Sequence, residues 1–145
     1  MAKVVVDTQG VVAPRWWSSA KVLIVGAVAG IAWWAIWTLL KQSIISEPSS
    51  AGGVSHIIIA VATVVTLIKF SVSRPLVISL TTVVLLWPLS TAIAGLGWVE
   101  SLFWSIGLFA ASYGLFSLVS RIRTLWIAII TAIIIVAVAM IVLAL

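Results

Sequence analysis

Residues 21–40 read KVLIVGAVAGIAWWAIWTLL. After Lys21 the stretch carries no charge and only Thr38 as a polar side chain, over the ~20 residues needed to cross a hydrocarbon core ~30 Å thick. Working outward from it, four more stretches of that kind follow, at about 54–73, 76–97, 101–119 and 124–145. The composition agrees, with 64% apolar residues, 8% charged residues and a mean hydropathy of +1.37. A typical soluble domain is ~45–50% apolar and ~25% charged, so a water-facing shell cannot be assembled here. The fold class expected is an all-α integral membrane protein, a compact bundle of five transmembrane helices.

The connections support that reading. Residues 1–20 mix β-branched residues with Asp7, Gly10 and Pro14, and are expected to form a cytoplasmic or interfacial leader, with Trp16 and Trp17 at headgroup level. Residues 21–145 then form a single transmembrane domain. The first span is read as a retained helix rather than a signal peptide, because no small-residue cleavage site follows it. Residues 41–53, which include Lys41, Glu47, Pro48 and the run Ser-Ser-Ala-Gly-Gly at 49–53, are read as the longest loop. Arg74-Pro75 and Gly97-Trp98-Val99-Glu100 make tight reversals. Trp87-Pro88 falls within the third span, where proline removes a backbone hydrogen bond and clashes with the preceding turn, so a kink is expected near Pro88.

Charge assigns the orientation. If successive spans alternate, Lys3, Arg15, Lys21, Lys69, Arg74, Arg121 and Arg123 share one side, against Lys41 alone on the other. Basic residues collect on the cytoplasmic side, which places the N-terminus inside and the C-terminus outside. A multi-pass protein of the prokaryotic cytoplasmic membrane is the expected setting. The same sorting accounts for the formal charge of +5 without nucleic acid as a partner.

Few residues suggest chemistry. The chain has no cysteine and one histidine, so thiolate metal sites and thiol redox are excluded, and paired histidine ligation of a haem is unavailable within one chain. Asp7, Glu47 and Glu100 are the only acids and lie in separate loops, so no catalytic triad or carboxylate relay is evident. The expectation is no enzymatic activity, no catalytic residue and no metal or cofactor site, with bound lipid anticipated and a quinone or pigment left open. His56 is read as an interfacial residue. Lys69 is the one charge inside a span; its stem can snorkel to the nearby end, and a role in a pathway is the alternative.

Small residues suggest helix packing. Gly26 and Gly30 form a GxxxG pair, and Gly107, Ala110, Ala111 and Gly114 give the fourth span a small face, of the kind that lets helix backbones approach. The last span is nearly pure aliphatic and is expected at the lipid-facing periphery. Thr81, Thr82 and Ser90 in the third span are candidates for a polar path. Trp33, Trp37 and Trp87, in the half away from the basic residues, are candidates for an aromatic ligand pocket beside the kink.

In span number, length and tryptophan content the chain resembles, coarsely, the tryptophan-rich sensory protein and translocator family, which binds porphyrins and sterol-like ligands. That family carries a lysine-proline and paired-proline segment after its first span. Here Lys41 is followed by QSIISEP, and the chain is not assigned to the family. The leading expectation is a small non-catalytic accessory subunit packed against other integral-membrane subunits in a larger complex, an energy-transducing complex being one such host. The alternatives are a homo-oligomeric channel or carrier for a small or hydrophobic molecule, or a tryptophan-lined protein that binds a lipophilic ligand.

Overall fold

The computed structural model describes residues 15–44, 47–72, 74–122 and 124–144, and every regular element among them is a helix. In chain order these are α1 (Arg15–Ser43), α2 (Pro48–Lys69), α3 (Pro75–Leu86), α4 (Leu89–Ala92), α5 (Trp98–Ser120) and α6 (Leu125–Ala144). Among the described residues, four segments are long and apolar enough to cross a membrane: Ser19–Ser43, Ser49–Lys69, Pro75–Ala92 and Trp98–Ser120. A shorter apolar stretch, Leu125–Val138, lies in α6. The architecture is that of a helical membrane bundle. Lys3 and the rest of the leader at 1–14, Arg123, and the side chains of Trp16 and Trp17 lie outside the described residues.

Several boundaries differ from the sequence reading. Helix α5 begins at Trp98, so of the reversal expected at Gly97-Trp98-Val99-Glu100 only Gly97 lies outside the helix, and α2 ends at Lys69 rather than 73. Helix α1 already begins at Arg15, because RWWSSA contains no helix breaker and continues into the span. Helix α2 begins at Pro48, so Ser49–Gly53 is helical and the expected long loop shrinks to a few residues. Proline's fixed φ suits a first helical turn, and the two glycines are explained below by what rests on them. The third span ends at Ala92, with turns rather than helix at residues 93–96.

The helix is interrupted where the kink is expected. Pro88 has no N–H for the Val84 carbonyl, which instead accepts the Trp87 N–H at 3.4 Å, and α3 stops at Leu86 before α4 resumes at Leu89. Beyond the break, α4 packs chiefly on α2, whereas α3 packs on α2, α5 and α6.

The most extensive contact in the bundle joins α1 to α5, and glycine makes it possible. A Cβ on Gly30 would lie 2.6 Å from the Ser105 carbonyl oxygen and 2.9 Å from Ile106 Cα; one on Gly26 would lie 2.9 Å from Tyr113 Cβ and 3.0 Å from Ala110 Cα. Helix α6 buries Ala128 and Ala132 and exposes Ile127, Ile130, Ile133 and Ile134, as a peripheral helix would.

Charged residues mark the two ends. Arg121 Nη2 donates to Ser19 Oγ at 2.7 Å, Arg74 Nη1 donates to the Ile122 carbonyl at 2.9 Å, and Lys21 Nζ lies 6.0 Å from the Phe70 ring centroid. These contacts gather the start of α1, the end of α2, the start of α3 and the end of α5 at one basic end. Lys41, over the Trp37 ring at 5.0 Å, belongs to the other.

Candidate functional site

His56 stands at the centre of the aromatic core. It is fully buried, and its ring centroid lies 4.9 Å from Trp33, 5.9 Å from Trp87 and 5.9 Å from Phe109. Trp37 extends the group, stacked on Trp33 at 5.6 Å with the two planes 5° apart. The interfacial position expected for His56 is thus corrected: with α2 starting at Pro48, the residue falls about two turns inside the helix. The side chain is also awkwardly partnered. Trp33 Nε1–H points at His56 Nδ1 at 3.1 Å, and the Gly52 carbonyl lies 2.8 Å from that same nitrogen. Nδ1 can accept from the indole or donate to the carbonyl, but not both. Nε2 is buried without a partner.

Gly52 and Gly53 complete this region. A Cβ on Gly52 would fall 2.2 Å from Ser90 Oγ, and one on Gly53 would fall 3.2 Å from Trp87 Cζ2. The pair therefore seats the residues on either side of the kink against α2. Trp33, Trp37 and Trp87 do come together, around His56 and Phe109. The open space beside the kink has a different lining.

That space is a cavity of about 900 Å³ between α3–α4, α5 and α6, with Leu86, Pro88, Leu89, Leu108, Ser112 and Ile134 among its walls and none of the three tryptophans. A smaller recess of about 150 Å³, at the end away from the basic belt, lies between Trp34, Trp37, Lys41 and Trp98. There Trp34 Nε1–H donates to Ser101 Oγ at 2.9 Å.

A second buried group joins three helices by hydroxyls. Tyr113 O–H on α5 donates to Thr63 Oγ1 on α2 at 2.7 Å, and Thr63 in turn donates to the Ile59 carbonyl at 2.8 Å. Ser79 on α3 lies 3.1 Å from Thr63 Oγ1 and donates to the Ala60 carbonyl at 3.1 Å. Sequence reading singled out neither Tyr113 nor this junction; the signal available was a lone tyrosine in an apolar span, which needs a partner for its hydroxyl.

The polar-path candidates do not share one lining. Thr81 bonds back to the Val77 carbonyl of its own helix, Ser90 rests on Gly52, and Thr82 is buried with its hydroxyl unpartnered. Lys69 is the last residue of α2 and exposed. The small-residue face on α5 divides. Ala110 meets α1, and a Cβ on Gly114 would lie 2.8 Å from Leu23 Cδ2. Gly107, by contrast, has nothing within 4 Å of a Cβ position, and it and Ala111 are both exposed. Comparison with protein-family models, curated proteins and solved structures found no match to this chain.

Proposed function

We propose that the protein is a small non-catalytic subunit that packs into a larger integral-membrane assembly, with its basic end on the cytoplasmic side of a prokaryotic membrane. The observation that carries this reading is the divided face of α5. One set of small residues is consumed by contact with α1, while Gly107 and Ala111 form a second small pair on the outer surface beside exposed Phe103 and Leu118. In lipid, helices associate where small residues let backbones approach, and an exposed small pair that packs on nothing among the described residues suits a helix from another subunit. The hydroxyls favour this over a channel: Tyr113, Thr63 and Ser79 are engaged with one another and with backbone.

A photo-crosslinking residue placed at Phe103 in the native membrane should capture another membrane polypeptide. The same residue at Ile58, an exposed position on α2, should give lipid adducts only. Equal lipid adducts at both positions would count against docking through α5.

A further inference from the structure

We propose that the cavity beside the Pro88 kink is a binding site for the hydrocarbon chains of a membrane lipid, drawn from the leaflet away from the basic end. It does not rest on docking through α5: Gly107 and Ala111 are not among the lining residues, although their neighbours Leu108 and Ser112 are.

The cavity lies beside the break. Beyond Pro88 the short α4 packs chiefly on α2 and seats Ser90 on Gly52. Between α3–α4, α5 and α6 about 900 Å³ lies open. That volume is towards the upper end of the ~300–1,000 Å³ of ligand pockets. Water is a poor filler, since a buried water needs two to four polar partners. Among the described wall residues the only polar side chains are Ser112 and Thr91, and the Thr91 hydroxyl already donates to the Pro88 carbonyl at 2.7 Å.

The lining also selects the guest. Its described residues are aliphatic, serine, threonine or proline, with no aromatic ring to stack on a flat head group and no charged group to hold one. The neighbouring aromatic rings are stacked on one another instead. Branched aliphatic walls suit a flexible chain. Access is from the bilayer, because Ile134 and Val138 on the rim are more than half exposed. The walls contributed by α3 and α4 lie at the far end of that span from Arg74, which identifies the leaflet.

The test uses the full chain in vesicles of phosphatidylethanolamine and phosphatidylglycerol whose acyl chain carries a diazirine. After irradiation, adducts should concentrate on residues 85–92 and on Leu108. Ile134→Trp or Val138→Trp, each a rim position able to swing a larger side chain into the space, should reduce those adducts to the level of the general lipid-facing surface. Ile130→Trp, exposed on the same helix but off the rim, should leave them unchanged. Thermal unfolding confirms that each variant is folded, and the two rim variants substitute for one another if one is not. Labelling spread evenly over all lipid-facing helices and indifferent to Ile134→Trp would overturn the proposal. So would displacement of the label by a short-chain quinone but not by unlabelled phospholipid, or a crosslink from the rim to another polypeptide.

Discussion

Gly30 and Gly107 are chemically identical and structurally opposite. Gly30 faces the α5 backbone, with Ser105 and Ile106 atoms under 3.0 Å from where a Cβ would be. Gly30→Leu should therefore force α1 off α5 and destabilise the isolated protein by about 1–3 kcal/mol or more, the usual range for overpacking, read as a lower thermal unfolding midpoint in mild detergent. Gly107→Leu should leave that midpoint nearly unchanged, because the space beside it is open. The Tyr113–Thr63 bond makes a second prediction at this scale. Thr63→Val and Tyr113→Phe should each cost about 0.6 kcal/mol and at most about 1.7, the average and maximum measured for hydrogen bonds between membrane helices. The double variant should cost less than their sum, as expected for two ends of one interaction; strict additivity in a denaturation cycle would contradict the geometry.

Among the elements, α3 with its break is the one whose shape depends on a single residue. Pro88→Ala restores an N–H for the Val84 carbonyl and removes the ring clash. The expected outcome is one continuous helix from Pro75 to Ala92, with slower amide exchange across residues 84–92 and Ser90 lifted from Gly52. Unchanged exchange there would show that packing against α2, rather than the proline, holds the break. This kink was legible in the sequence because its cause is local. So were the long apolar helices, since hydropathy over a ~20-residue window is a strong signal. The start of α2 was not. Ser-Ser-Ala-Gly-Gly looks like a turn when judged by its own residues, and only the distant Ser90 and Trp87, which sit on Gly52 and Gly53, explain why glycine is there in a helix. The same glycines decide the depth of His56, which stands at the mouth of a helix that starts near 54 but about two turns inside one that starts at Pro48. Similarly, the split of the α5 small residues into an inner and an outer pair depends on where α1 lies, which spacing along α5 alone does not reveal.

At the scale of the whole molecule, the charge asymmetry has direct structural form. Arg74, Arg121 and Lys21 all make contacts at one end, while Lys41 is at the other. The chain has no cysteine, so single introduced thiols can report sidedness without background. A membrane-impermeant maleimide applied to intact cells should label Ser43→Cys and should reach Lys69→Cys only after the membrane is opened. The reverse pattern would invert the orientation and, with it, the leaflet assigned to the cavity.

The proposal that this chain works as part of a larger assembly is tested most directly by the particle it belongs to in its own membrane. Solubilised gently at native expression levels, the protein should migrate in a particle much larger than its own 15.4 kDa and contain other integral-membrane subunits in fixed stoichiometry. Gly107→Leu should release it from that particle while leaving it folded. A particle composed of this chain alone, unaffected by Gly107→Leu, would contradict the account.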